Sequence, residues 1–155
     1  DGITEVPVNA DNGTYEPEIL RQKINWVQFH TDKLPDVSLA TFHMPSESWY
    51  IVWPENWDEN VIAVKTSTSN VSITTFYDKD TYFSQDTLDY ILKIYTFSSE
   101  ASVRYLEDEN IKMFASSGST FYGYVLPEGD AGNYSVDSET VNKLFKQIPN
   151  TWTME

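Results

Sequence analysis

Apolar side chains recur at every second position in several segments of the chain, which is the period of a β-strand. In the segment 70–78, one face of such a strand would carry Val71, Ile73, Thr75 and Tyr77. The opposite face would carry Ser72, Thr74 and Phe76. Strand-forming residues also dominate the segments 37–42, 49–53, 61–65, 111–115 and 119–126. The pattern therefore predicts a chain made mostly of antiparallel strands.

One segment, 90–97, is apolar at both odd and even positions except at Lys93 and Thr96. A strand that is buried on both of its faces has this composition. The segment is therefore predicted to be a central strand. The sequence Ser-Ser-Gly at 116–118 suits a hairpin turn between the last two predicted strands.

Helical periodicity is confined to a few places. The clearest helix is predicted near the end of the chain, where an apolar stripe is formed by Val141, Leu144, Phe145 and Ile148. Asp137 is a suitable N-cap for it, and Pro149 would end it. A short helix is also expected at 100–106. Near the start, Glu16-Pro17-Glu18 could open a helix, or a strand could begin near Ile24, and the sequence leaves both alternatives open.

These elements predict an α+β fold, in which an antiparallel sheet of about six or seven strands has helices packed on its faces. The length of 155 residues is that of one ordinary domain. Residues 1–15 are polar, acidic and rich in turn formers, so we expect a flexible linker that follows a removed signal or anchor. Residues 16–155 are then expected to form a single globular domain.

The charge of the chain excludes several classes of partner. With 24 acidic and 10 basic residues, the formal net charge is −14. Such a surface repels phosphate backbones and anionic lipid headgroups, so neither nucleic-acid binding nor membrane-surface binding is expected. Without cysteine, the chain has no thiol nucleophile and no disulfide. No apolar run reaches the roughly 18 residues that a membrane span needs.

Catalytic and metal-binding patterns are weak. The two histidines, His30 and His43, each lie beside a phenylalanine, and no G-x-S-x-G motif occurs. The acidic turns at 11–13, 58–60 and 128–130 lack the alternating spacing with which an acidic loop wraps calcium. We therefore predict a non-catalytic monomer with no cofactor and no metal site.

The strongest functional signal is the stretch 49–61, which has three tryptophans within nine residues, followed by two acids. In a strand, Trp49, Ile51 and Trp53 share one face, and the isoleucine between the rings indicates the core side. Tyr50 and Val52 would face outward. Trp57 follows the turn at Pro54 and is predicted to be partly exposed. The predicted ligand-binding residues are Trp57, Asp58, Glu59 and Tyr50.

The order of these elements also resembles that of a known group of proteins. Pro54-Glu55-Asn56-Trp57, the strand at 61–65 and the run 73–97 resemble segments of exported domains from Firmicutes. The closing segments 121–130 and 143–151 are similar to the last strand and helix of that group. The layout resembles the PsbP-like fold, an antiparallel sheet sandwiched by helices. The resemblance covers about residues 49–151 and implies an exported location, but it brings no catalytic motif.

Together, these features predict an extracytoplasmic accessory or recognition domain of a bacterium. It would be the soluble part of an exported protein or lipoprotein, with a lipid anchor upstream of the chain as one form of attachment. Its partner would be a protein or a glycan of unknown identity. The alternative is a carbohydrate-binding module that uses an exposed Trp57 beside acidic residues.

Overall fold

The computed structural model describes residues 8–9, 14–20, 23–28, 31–32, 36–67, 71–84, 89–98, 110–114, 120–129 and 132–148. The strands, in chain order, are β1 (Val8–Asn9), β2 (Thr14–Leu20), β3 (Lys23–Gln28), β4 (Asp36–Met44), β5 (Trp49–Val52), β6 (Val61–Ser67), β7 (Val71–Asp78), β8 (Tyr90–Phe97), β9 (Lys112–Met113), β10 (Phe121–Val125) and β11 (Phe145–Gln147). The α-helices are α1 (Lys79–Ser84) and α2 (Ser138–Leu144), and single 3₁₀ turns occur at Pro45–Glu47 and Gly132–Tyr134.

The chain forms two compact units, each with its own antiparallel sheet. The first unit comprises Asp1–Arg21 and Glu59–Val136, and the second comprises Gln22–Asp58 and Asp137–Glu155. The sheet of the first unit has seven strands in the order β1-β2-β6-β7-β8-β10-β9. The sheet of the second unit has four strands in the order β11-β5-β4-β3. Within the described residues, no helix is long and apolar enough to cross a membrane.

Strand β8 is the centre of the first unit, as its sequence predicted. It pairs with β7 on one side and β10 on the other. Leu92 and Ile94 on one face and Tyr95 and Phe97 on the other are all buried. The prediction of a central strand buried on both faces is confirmed. Because most of its side chains leave water, this strand contributes a large share of the apolar burial in its unit.

The core of the second unit lies on one face of its sheet. The register places Phe42 opposite Ile51 and Met44 opposite Trp49. Phe145 of β11 is also opposite Ile51, and its ring lies 5.7 Å from that of Trp49. All five side chains are buried, so aromatic and aliphatic residues from three strands form one apolar layer.

The predicted α+β sandwich is wrong. The described residues form two β-sheets with two short helices, and no residue of α1 is buried. The second helix ends at Leu144 because Phe145 adopts an extended backbone with φ −76° and ψ 130°. Phe145–Gln147 then pairs with β5 as strand β11. The stripe that predicted a helix up to Pro149 therefore belongs half to a helix and half to a strand.

The N-terminal segment is also extended. Residues 14–20 form β2 and residues 23–28 form β3, so the strand alternative is confirmed and the helix at Glu16-Pro17-Glu18 is wrong. The stretch 1–15 interpreted as a linker contains β1 and the first two residues of β2. Its other residues lie outside the described ranges, as do the predicted helix at 100–106 and the turn at 116–118.

Gly123 in β10 is expected to tolerate no side chain. A Cβ atom there would lie 2.5 Å from Ile111 Cγ2 and 3.1 Å from the carbonyl oxygen of Lys112. Gly123→Ala should therefore push β9 away from β10 and lower the free energy of unfolding by about 1–3 kcal/mol, as overpacking does. Urea unfolding measures this change. Gly129→Ala is the matched control, because a Cβ at Gly129 has no neighbour within 4 Å. Equal stability of the two variants would contradict the close approach.

Asp137 should make stability depend on pH. Its carboxylate accepts hydrogen bonds from the hydroxyl and the backbone N–H of Thr140, which lowers the pKa of Asp137 from its usual 3.8. A lowered folded-state pKa stabilises the fold above pH 3.8, and this contribution is lost as the pH falls through the lowered value. Asp137→Ala should therefore unfold at lower urea concentration than the parent at neutral pH, and the gap should close in acid.

The control for Asp137 is Asp32→Ala, which removes an exposed aspartate of the second unit. Its urea midpoint should stay close to that of the parent at every pH. A gap for Asp137→Ala that persists in acid would show that the cap does not depend on the carboxylate charge.

Candidate functional site

Contacts made by Trp53 and Trp57 stabilise the turn that follows β5. The indole N–H of Trp53 donates a hydrogen bond to the carbonyl oxygen of Asp58 over 3.0 Å. The backbone N–H of Trp57 donates to the carbonyl oxygen of Pro54 over 3.0 Å. The two indole rings meet edge to face, with centroids 5.1 Å apart and an interplanar angle of 89°. This geometry is favourable for aromatic pairs, and it folds the loop onto its own rings.

Lys23 of β3 strengthens the same turn. Its Nζ donates to the carbonyl oxygen of Asp58 over 3.2 Å and lies 5.7 Å from the centre of the Trp53 ring. Asp58 has a φ of 40°, a left-handed conformation that aspartate tolerates better than most residues. The carbonyl of Asp58 therefore accepts two donors, one from an indole and one from an ammonium group. These contacts are structural in character.

The predicted ligand-binding residues differ in how exposed they are in the structure. Trp57 is 0% exposed, so the prediction that its ring is partly exposed is wrong. The cause is the edge-to-face contact with Trp53, which turns the ring inward. Trp49 and Trp53 are buried, which confirms their assignment to the core face. The side chains of Asp58 and Glu59 are exposed. Asp58 is the last residue of the segment Gln22–Asp58 of the second unit, and Glu59 is the first residue of the segment Glu59–Val136 of the first.

Tyr50, the fourth predicted residue, lies on the outward face of the second sheet. It is half-buried and stacks on His43 of β4, with ring centroids 4.9 Å apart and an interplanar angle of 9°. The Nε2 atom of His43 shares a hydrogen bond of 2.9 Å with the hydroxyl of Thr41. Burial lowers the pKa of His43, which favours the neutral imidazole over the charged form. These three side chains form an ordered polar centre.

Apolar side chains surround this centre. Strand register places Ile24 and Val52 on either side of Thr41. Ile24 is 41% exposed, and Leu39, two residues before Thr41, is 44% exposed. We call this surface the Tyr50 face, and its members are Ile24, Leu39, Thr41, His43, Tyr50 and Val52. A group of exposed apolar side chains beside polar groups is one mark of a surface that binds a partner.

The sequence marked only Tyr50 on this face. In the sequence, His43 gives only a weak signal for catalysis or metal binding, and the weak alternation of 37–42 does not indicate that Leu39 is exposed. The signal that could have found the face is cross-strand register, which pairs His43 with Tyr50. Register of this kind depends on the turn at Pro45–Glu47, where Ser48 adopts a left-handed φ of 61°. A sequence pattern does not fix such a turn.

A second exposed surface lies in the first unit. The rings of Tyr77 and Tyr82 are 5.1 Å apart, and those of Tyr82 and Phe83 are 5.5 Å apart. Phe83 is 57% exposed, the largest value among the exposed large hydrophobic residues that the structure describes. We call Tyr77, Tyr82 and Phe83 the Tyr82 strip. Burial, with the nearby Tyr82, raises the pKa of Tyr77 although a hydrogen bond with Thr75 opposes the shift.

A metal site receives no support from the residues that the structure describes. None of their histidine, aspartate and glutamate side chains form a group of three or more that could hold an ion. The acidic turn at 58–60 is exposed, and the turn at 11–13 lies outside the described ranges.

Comparison of the chain with protein-family models, with curated proteins and with solved structures finds no match. The interpretation of the two surfaces therefore depends on their own chemistry.

Trp57 is expected to stabilise the folded state. Trp57→Ala should lower the free energy of unfolding by about 3–5 kcal/mol, because it leaves a large cavity beside Trp53. Chemical denaturation measures this loss. The control Asp58→Asn keeps the backbone carbonyl that Trp53 and Lys23 use, and it should change stability by less than about 0.5 kcal/mol. A Trp57→Ala variant that keeps its stability would show that the ring is not part of the core.

Proposed function

We propose that the chain is a non-catalytic recognition domain whose partner contacts the Tyr50 face. The observation that carries this proposal is the stacked pair of His43 and Tyr50, held beside Thr41 and flanked by the exposed side chains of Ile24 and Leu39. Exposed isoleucine and leucine next to an ordered polar cluster are difficult to explain by stability alone. Burial of both side chains against a partner would remove this apolar surface from water.

The chemistry of the face favours a protein partner. The surface lies on a β-sheet, and its member Thr41 is almost fully buried. Tyrosine is enriched at protein interfaces, and the exposed aliphatic side chains near Tyr50 add apolar surface that a protein partner would cover. A glycan would depend chiefly on an accessible aromatic ring, and one face of Tyr50 is already covered by His43. With Trp57 buried, carbohydrate binding through Trp57 loses its physical basis.

A non-catalytic role fits the surroundings of His43. The imidazole contacts Thr41 and Tyr50, neither of which is the carboxylate that orients a catalytic histidine. An extracytoplasmic location remains part of the proposal. It is supported by the resemblance of residues 49–151 to exported domains.

The test uses the whole chain as bait for surface and secreted proteins of its source bacterium. A captured protein is identified, purified and titrated by calorimetry against the parent and the variants. The double variant Ile24→Ser with Leu39→Ser should weaken binding about tenfold or more, because it removes two apolar contacts from the interface. Met113→Ser is the matched control, since Met113 is exposed to a similar degree, 38%, but lies in the first unit.

Two results would contradict this function. One is a purified partner that binds the double variant as tightly as the parent. The other is a glycan, found by an array, that depends on Tyr50 and is insensitive to the Ile24 and Leu39 changes. The second result would instead support a carbohydrate-binding module. Circular dichroism spectra of all variants should be unchanged, because the substituted side chains are exposed.

A further inference from the structure

The short helix α1 carries one exposed aromatic ring, that of Phe83, which its own fold does not require. No residue of α1 is buried. Its position is set by polar contacts, because Asp78 Oδ1 accepts from the backbone N–H groups of Asp80 and Thr81 at 2.9 and 3.4 Å. The backbone N–H of Lys79 also donates to the carbonyl of Asn60 over 2.8 Å. The helix would therefore keep its place without the ring of Phe83.

The arrangement of the strip presents one ring to solvent. Tyr82 is tilted by 43° against Tyr77, and Phe83 meets Tyr82 at 82°, edge to face. Phe83 is thus supported by Tyr82 while most of its own surface stays in water. The face of an aromatic ring carries negative potential, which attracts cations.

Two exposed carboxylates, those of Asp80 and Asp89, flank Phe83 in the sequence. Asp80 is exposed in the first turn of α1. Asp89 is also exposed, and its neighbour Tyr90 pairs with Tyr77 across β7 and β8. The whole chain adds a net charge of −14, which raises the local concentration of cations around it.

At the same end of the sheet, a lysine ammonium group already lies over a tyrosine ring. Lys93 Nζ lies 4.5 Å from the centre of the Tyr90 ring. The phenol of Tyr90 in turn donates to the carbonyl of Leu126 over 3.4 Å. An ammonium group over an aromatic ring is therefore compatible with the local environment, and Phe83 offers a second ring of this kind.

We propose that the Tyr82 strip binds a basic peptide segment of a partner protein, with an arginine or lysine side chain over Phe83. The carboxylates of Asp80 and Asp89 would attract the segment electrostatically. The Phe83 ring would contact the side of the bound cation that has lost its water. This surface belongs to the first unit, whereas the Tyr50 face belongs to the second. The inference therefore does not depend on the function proposed above.

The probe is a short synthetic peptide of alternating arginine and glycine, titrated into the whole chain and followed by nuclear magnetic resonance. Backbone and ring signals of Tyr82 and Phe83 should shift first, and higher salt should weaken binding. The matched peptide has citrulline in place of arginine, which keeps the shape but removes the charge. It should bind at least about fivefold more weakly, since the attraction to a ring and to carboxylates both need the charge.

Substitutions at Phe83 separate the attraction of a ring from simple apolar contact. Phe83→Ala and Phe83→Leu should each weaken the arginine peptide about two- to fivefold, because neither side chain has a π face. Asp80→Asn should weaken it by a smaller factor that disappears at high salt. The double variant of Ile24 and Leu39 should bind the peptide like the parent.

Three outcomes would overturn the inference. Equal binding of the citrulline peptide would show that charge is irrelevant, and parent-like binding by Phe83→Leu would reduce the strip to an apolar contact. Shifts spread over the whole acidic surface, with none concentrated at Tyr82 and Phe83, would show diffuse electrostatic attraction only. Thermal melts are expected to be the same for all Phe83 variants, since α1 contributes no buried side chain.

Discussion

The indole N–H of a buried tryptophan must find an acceptor, and in the second unit this requirement shapes the chain after β5. Trp53 donates to the carbonyl of Asp58, which brings the chain back on itself after Pro54. An unsatisfied N–H in this place would cost about 1–3 kcal/mol. Trp57 then lies edge-on against Trp53, and both rings leave the surface. One hydrogen bond thus turns a stretch that is crowded with tryptophan into a part of the core.

The consequences reach the opposite face of the same sheet. Because Trp49 and Ile51 point toward the core, Tyr50 and Val52 must point outward, since side chains alternate along a strand. Register with β4 then brings His43 against Tyr50, and register with β3 brings Ile24 beside Thr41. Once the core face is fixed, strand alternation and cross-strand register therefore determine which residues form the Tyr50 face. Trp57, which was predicted to contact a ligand, instead lies in the core. Tyr50 is on the outward face, and the predicted Asp58 and Glu59 are exposed.

The sequence predicts strands well where both the composition and the alternation are strong. It located β7, the buried centre β8 and the core side of β5, because these depend on residue types within one segment. It predicted the last helix and its Asp137 N-cap, but it extended that helix beyond Leu144. The spacing of Val141, Leu144 and Phe145 fits a helix. Phe145 instead continues as a strand, since β5 offers backbone partners and Trp49 offers a ring. Such tertiary contacts override local preference, and a single segment carries no record of them.

The sequence does not predict the candidate surfaces, because they too depend on tertiary structure. A phenylalanine after a strand normally indicates core, and nothing in the run 77–83 distinguishes Phe83 from the buried Phe76. The difference arises from the cap at Asp78, which ends β7 and starts α1. Beyond this point the chain no longer alternates between the faces of the sheet, so the ring of Phe83 is carried outward with Tyr82. Among the described residues, the exposed Phe83 lies where the backbone leaves a strand, and the half-buried Tyr50 lies on the face opposite the core. Both conditions are properties of the assembled sheets, and for this reason they became visible only in three dimensions.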